Sequence, residues 1–85
     1  MQLPNITEIC YQVYVGGLTF TRILNYVYEK VTKTLYIYVY EYGNLESIFD
    51  LKVTGFRAIK EIMFSIYLII KSQPRYKVLS IKKGE

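Results

Sequence analysis

The 85-residue chain contains no histidine and no tryptophan, and only one cysteine and two prolines. Histidine is the commonest general base and metal ligand near neutral pH, so most nucleophilic, metal-dependent and acid–base schemes lack a central group. A single thiol cannot form an internal disulfide, which favours a reducing compartment such as the cytoplasm. The absences predict a protein that is not an enzyme and that carries no metal or cofactor.

Length and composition predict one small folded domain over residues 1–85. The chain is 52% apolar and 21% charged, which is typical of a globular protein, and it is too short for two independent cores. A membrane span needs about 20 consecutive apolar residues, and no run of that length is present. The first fifteen residues have no basic start and are interrupted by Pro4 and Glu8, so no targeting segment is expected.

The net charge of +4 is unevenly distributed. Residues 1–50 carry three basic and five acidic side chains, whereas residues 51–85 carry eight basic and two acidic ones. The basic C-terminal segment, residues 71–85, could contact phosphate groups or an acidic partner, or could simply be a solvated tail. Its candidate nucleic-acid contacts are Lys71, Arg75, Lys77, Lys82 and Lys83.

Alternating apolar and polar residues predict strands at 8–15, 33–42 and 45–54, with a hairpin turn at Gly43-Asn44. In the third strand Leu45, Phe49, Leu51 and Val53 are expected to face the core. Residues 75–82 also alternate and fit a last, short strand.

Two segments show helical spacing instead. The first, 18–31, has apolar residues three and four apart, and the second, 56–72, ends before Pro74. The first stripe consists of Phe20, Ile23, Leu24, Val27, Tyr28 and Val31. The sequence therefore predicts an α+β fold in which two helices cover one face of a small antiparallel sheet. The expected order is β-α-β-β-α, followed by the short C-terminal strand.

The second predicted helix is apolar on every side over residues 62–70, where only Ser65 is polar. A domain of this size has too little bulk to bury a helix completely, so a partner chain is expected to cover part of it. The residues expected to contact that partner are Phe64, Tyr67, Leu68 and Lys71.

Four tyrosines, Tyr36, Tyr38, Tyr40 and Tyr42, alternate along one predicted strand and must share a face. They could stack on nucleic-acid bases, but the strand has no interleaved glycine, lysine or arginine, which sheet platforms of that kind use. Tyrosines also favour strands and cover open sheet faces with their hydroxyls in water. The favoured interpretation is that the four tyrosines cover the face of the sheet, including the case in which a dimer buries them.

The remaining candidate motifs are weak. Cys10 has no histidine to activate it, and the carboxylates show no paired spacing. Gly16-Gly17 lies between a predicted strand and a predicted helix, so a phosphate could meet that helix N-terminus, but the residues of a P-loop are missing.

The predicted element order, together with Phe56-Arg57-Ala58 at the start of the last helix, resembles the Pcc-type small subunit of the KEOPS complex. That family has a Leu-Arg-Ala stretch followed by Asn-Ser at this position, whereas Glu61-Ile62 stands here instead. The departure would fit a divergent archaeal paralogue. An Ile- and Tyr-rich, His-free composition is also often seen in thermophilic archaea and their viruses.

The resemblance implies a cytoplasmic, non-catalytic accessory subunit of the assembly that makes the threonylcarbamoyladenosine modification of tRNA. Such a subunit dimerises with itself or with a paralogue, and its helices dock a larger catalytic subunit. The alternative from the residues alone is a small nucleic-acid-binding protein, of cellular or viral origin, that uses the tyrosine face and the basic C-terminus.

Overall fold

The computed structural model describes residues 2–84, which form five strands and one helix. All neighbouring strands are antiparallel, in the spatial order β4-β3-β2-β1-β5. In chain order the elements are β1 (Ile6–Val15), β2 (Leu18–Glu29), β3 (Thr34–Glu41), β4 (Asn44–Lys52), α1 (Phe56–Ser72) and β5 (Tyr76–Lys83).

Two tight hairpin turns shape the first four strands. Gly16 and Gly17 have φ values of 57° and 80° and join β1 to β2, while Tyr42 and Gly43, at 50° and 83°, join β3 to β4. Two consecutive positive φ angles define the type I′ turn, whose twist matches that of the flanking strands. The chain therefore turns back on itself immediately after β1 and after β3.

The helix predicted over residues 18–31 is wrong, because most of this segment is β2. Its apolar stripe does not face one way: Leu24 is buried, whereas Ile23 and Val27, on the opposite face, are 37% and 54% exposed. Seven of the twelve β2 residues are β-branched or aromatic and favour strands. Apolar residues on both faces of a strand produced a spacing that imitates a helix.

The predicted fold class is consequently wrong: the order is β-β-β-β-α-β, and one helix rather than two lies against the sheet in residues 2–84. The other predicted elements agree with β1, β3, β4 and α1 to within a few residues, and the short C-terminal strand is β5. Strand β5 pairs with β1, at the edge of the sheet opposite β4.

The helix α1 links the two edge strands and packs on one face of the sheet, mainly over β1 and β5. Ile59 and Met63 of the helix are 2% and 0% exposed. They join a core that also contains Ile6, Ile9, Tyr11, Val13, Leu24, Leu35, Ile37, Val39, Val53 and Ile70. We call this face of the sheet the helix side and the opposite one the open face.

The helix does not cover strand β4. Of the four β4-region residues expected to face the core, only Val53 is buried, while Leu45, Phe49 and Leu51 are 49%, 56% and 37% exposed. A bulge between Val39 and Tyr40 also moves Leu45 to the open face, where it pairs with Tyr40. The predicted face is therefore wrong for Leu45 alone, but Phe49 and Leu51, which do lie on the helix side, are not buried there.

Candidate interaction surfaces

The open face has no helix against it in the described part of the chain and is rich in apolar and aromatic side chains. The register places Ile23 opposite Tyr40, and Tyr38 opposite Ile48. Its residues on the first four strands include Glu8, Cys10, Gln12 and Tyr14, then Thr21, Ile23, Asn25, Val27 and Glu29, then Tyr36, Tyr38 and Tyr40, then Leu45, Ile48, Asp50 and Lys52.

The tyrosines lie on this face as the alternation predicted. The rings of Tyr38 and Tyr40 are nearly parallel, with centroids 6.3 Å apart and planes inclined by 21°. Tyr42 lies in the turn after β3, and its hydroxyl donates a 3.0 Å hydrogen bond to the carbonyl oxygen of Thr19. Three tyrosines therefore form a strip along β3, next to the edge strand β4, while the fourth connects the β3–β4 turn to β2.

Apolar residues that the sequence reasoning missed widen the strip on both sides. Ile23 and Val27 flank it on β2, and Ile48, which is 51% exposed, flanks it on β4. A shallow depression of about 280 Å³ lies between Ile23 and Tyr40. Assigning residues 18–31 to a strand would have placed Ile23 and Val27 beside the tyrosines.

Charges on the open face are balanced. By register it carries Glu8, Glu29 and Asp50 against Lys52, Lys77 and Lys82. Lys82 lies 3.2 Å from the Glu8 carboxylate, and the Lys52 ammonium donates to Thr34 Oγ1 at 2.9 Å. The face therefore has no excess positive charge to attract a phosphate backbone.

The five basic residues predicted to contact nucleic acid do not form one patch. Lys71 belongs to α1, with its ammonium 5.7 Å from the ring centroid of Tyr67, and Arg75 lies before β5. Lys77 and Lys82 are on the open face, whereas Lys83 pairs with the buried Ile6 at the sheet edge.

The helix residues predicted to contact a partner differ in burial. Phe64 and Tyr67 pack partly against the core, with ring centroids 6.2 Å apart, whereas Leu68 is 48% exposed. Ile69, which the sequence reasoning missed, is 58% exposed. The apolar surface that α1 presents to solvent thus lies at Phe56 at its start and at Leu68 and Ile69 near its end.

The family-like stretch at the start of α1 has ordinary local contacts. Arg57 pairs with Glu61 one turn later at 3.5 Å, and the Lys60 ammonium lies 5.8 Å from the ring centroid of Phe56. Ala58 packs against the core. Both cation contacts are at the surface and contribute little to stability.

The structure does not support the other candidate sites that the sequence suggested. Gly16-Gly17 is a hairpin turn and no helix follows it, so the proposed phosphate position at a helix N-terminus is wrong. Cys10 is half-buried on β1, opposite Ile23 and Ser80. Within residues 2–84, no three His, Cys, Asp or Glu side chains are close enough together to hold a metal ion.

A partly buried polar cluster lies on the helix side, at the end of the sheet near the β1–β2 turn. Arg22 Nε is 3.1 Å from Glu41 Oε1, and the Tyr11 ring stacks on Tyr76 with centroids 5.7 Å apart. Burial raises the pKa of Tyr11, an effect that its hydrogen bond to Arg22 partly opposes. Both polar contacts of Arg22, with Glu41 and with Tyr11, are to other residues of this domain, which indicates a structural role.

No protein family model, no curated protein and no solved structure matches the chain. The resemblance to the KEOPS small subunit depended mainly on an element order that the structure does not have. Of the features that carried it, only the short Phe56-Arg57-Ala58 stretch at the start of the last helix keeps its place. The only helix in residues 2–84, α1, does not combine the length and the apolar character that crossing a bilayer requires.

Proposed function

We propose that the chain is a non-catalytic binding module that self-associates through its open face. The observation that carries this proposal is a continuous tyrosine-rich apolar strip, flanked by Ile23, Val27 and Ile48, with balanced charges around it. Exposed apolar patches of this kind mark interaction sites. A cytoplasmic location, which the single thiol favours, belongs to the same proposal.

The size of the face suits a dimer of two copies. Strands about 4.8 Å apart, each rising about 3.3 Å per residue, give five strands of roughly eight residues a face of roughly 600 Å². Stable interfaces of standard size cover about 600–1,000 Å² on each partner, so this face is at the lower end of that range. Two sheets can pack face to face at about 10 Å with interdigitating side chains, as in a β-sandwich.

The charges at the two edges favour a second copy of this chain as the occupant. A two-fold axis parallel to the strands would place the β4 edge of one copy against the β5 edge of the other. Asp50 of β4 would then approach Lys82 of β5, in both halves of the dimer. Opposite charges would thus lie at the two edges of the interface, where a polar rim is usual.

A second candidate is the accessory role implied by the KEOPS resemblance, in which a larger catalytic subunit binds the helix. The exposed Leu68 and Ile69 near the end of α1 favour it. Self-association through the open face leaves this surface accessible, so both interactions can occur in one assembly. Contact with tRNA by the basic C-terminal segment remains part of this second candidate.

Nucleic-acid binding through the tyrosine face is the weaker alternative. Base stacking on Tyr38 and Tyr40 contributes about 1–3 kcal/mol per base in proteins that use it. Such proteins also attract the phosphate backbone of the nucleic acid with a positively charged groove. Here, in contrast, the carboxylates of Glu8 and Asp50 lie on either side of the strip. Binding that depends on both tyrosines and weakens steeply with salt would favour this alternative.

Neighbouring β4 residues allow a matched test, because Ile48 is on the open face and Phe49 is on the helix side. Their side chains are 51% and 56% exposed, so replacing either one by Glu disturbs little packing. Sedimentation equilibrium over micromolar concentrations should show a dimer for the wild type and for Phe49→Glu. Ile48→Glu should be a folded monomer, because it would bury unpaired carboxylates in the interface.

A third variant, Leu68→Glu, separates the two candidate surfaces. If Leu68→Glu dissociates the dimer and Ile48→Glu does not, α1 forms the seam and the open-face proposal is wrong. A wild-type protein that stays monomeric at high micromolar concentration also contradicts self-association. Circular dichroism of each variant verifies that it is folded.

A further inference from the structure

A second concave surface lies on the helix side, between the start of α1 and strand β2. It is a cleft of about 570 Å³, within the size range of small-molecule sites in proteins. Its lining residues are Tyr26, Tyr28, Lys30, Lys33, Phe56 and Ile59. It exists because α1 packs over β1 and β5 and leaves this part of the sheet uncovered.

The walls of the cleft are apolar and aromatic, and one hydroxyl is free. The Tyr28 hydroxyl donates a 2.7 Å hydrogen bond to the carbonyl oxygen of Val53, which holds that ring in place. The Tyr26 hydroxyl has no hydrogen bond within residues 2–84. Burial raises the pKa of Tyr26, so its phenol stays protonated and can donate a hydrogen bond to a ligand.

Two lysines, Lys30 and Lys33, supply positive charge at the β2–β3 turn. Neither forms an ion pair within residues 2–84, and no acidic residue lines the cleft. The nearest acidic residue in sequence, Glu29, uses its carboxylate to accept a hydrogen bond from the backbone N–H of Val31. Positive charge in the cleft is therefore left without a counter-ion from the described protein.

We propose that the cleft binds an amphipathic anion, a ligand with one carboxylate head and an aliphatic body of the fatty-acid type. The head would accept hydrogen bonds from Lys30, Lys33 and the Tyr26 hydroxyl, as charge-assisted pairs. The aliphatic body would lie against the rings of Tyr28 and Phe56. Phe56 is 51% exposed without a ligand, so covering it adds apolar burial.

This site is independent of the proposed self-association, because the cleft and the open face are on opposite sides of the sheet. Binding can therefore be measured on the Ile48→Glu variant as well as on the wild type. Loss of the dimer in that variant with retained ligand binding would separate the two proposals. Evidence against ligand binding in the cleft would therefore not contradict self-association, and the reverse also holds.

The test is a titration of the isotope-labelled chain with decanoate at neutral pH, followed by amide chemical shifts. Saturable shifts should centre on residues 26–33 and 56–59. Decanol, which lacks the charge, and decyltrimethylammonium, which reverses it, should bind at least about tenfold more weakly, a difference of about 1.4 kcal/mol. A Lys30→Glu/Lys33→Glu double variant should lose decanoate affinity by a similar factor.

The matched control is Lys77→Glu/Lys83→Glu, which changes the net charge equally but lies away from the cleft on β5. It should bind decanoate as the wild type does. Equal binding of all three decyl compounds, or an unchanged affinity in Lys30→Glu/Lys33→Glu, would overturn the proposal. Shifts centred on the open face, or none that saturate, would overturn it as well.

Discussion

Arg22 and Glu41 face each other across the β2–β3 pair, with Nε 3.1 Å from Oε1, and their side chains are only 28% and 21% exposed. Tyr11, opposite Arg22 on β1, completes the cluster, because the two side chains are also hydrogen-bonded. The group joins three adjacent strands on the helix side, at the end of the sheet near the β1–β2 turn. This polar cluster adds to the stability of a fold whose other buried contacts are mainly between apolar side chains.

Replacing Glu41 by Gln should lower the free energy of unfolding by about 1–2 kcal/mol. Arg22 would be left partly buried without its carboxylate, and partial solvent access makes the loss smaller than for a fully buried pair. Urea denaturation provides the measurement. The control is Glu61→Gln, which breaks the exposed Arg57–Glu61 pair and should change stability by less than about 0.5 kcal/mol. If the two substitutions changed the free energy of unfolding equally, the Arg22–Glu41 pair would contribute no more to stability than an exposed pair.

Stability should fall as the pH rises above about 10, the ordinary pKa of tyrosine. Burial raises the pKa of Tyr11 and that of Tyr26, so over this range the folded state holds protons that the unfolded state has released. That stabilisation is complete below the pKa of the unfolded state and is lost as pH rises through the higher pKa of the folded state.

Urea midpoints in the alkaline range test this expectation. Tyr11→Phe should flatten the pH dependence, whereas Tyr42→Phe, at a side chain 66% exposed, should keep the wild-type slope. Lysines also titrate in this range, and both variants retain them, so the comparison isolates the tyrosine. A slope that is identical in the two variants would contradict a role for Tyr11.

The β1–β2 hairpin provides a test of the corrected element order. Gly17→Ala should destabilise the protein by about 1 kcal/mol, because φ is 80° there and no atom crowds an added Cβ. Gly55→Ala is the matched control: its φ of 171° is ordinary extended backbone, and an added Cβ there also meets no atom. It should change stability by less than about 0.5 kcal/mol. A neutral Gly17→Ala would be inconsistent with a type I′ turn at this position.

The sequence was sufficient to predict those helices and strands whose pattern of apolar and polar residues lies within one short segment. Strand β3 alternates between core side chains and tyrosines, and both faces were predicted correctly. The helix α1 ends close to where Pro74 predicted, and the alternation after it proved to be β5. The candidate open face was partly predictable for the same reason, since alternate residues of a strand must share a face.

Strand β2 could not be assigned from the apolar spacing alone, because both of its faces carry apolar residues. Gly16-Gly17 between Val15 and Leu18 is also a signal for a two-residue hairpin, and the turn that it forms makes β2 a strand. The spacing of Ile23, Leu24 and Val27 outweighed that signal in the helix prediction. Pairing with β1 on one side and β3 on the other satisfies the backbone of β2 as a strand.

By itself, the sequence determined that this is a small chain without histidine, with a strand of alternating tyrosines and a helix before Pro74. Only the tertiary structure decided that the tyrosines share an uncovered face with Ile23 and Ile48, and that Lys30 and Lys33 border a cleft beside Phe56. The physical reason is that alternation is a property of neighbouring residues. Which face a helix covers depends on the pairing of strands distant in sequence and on the edge from which that helix starts.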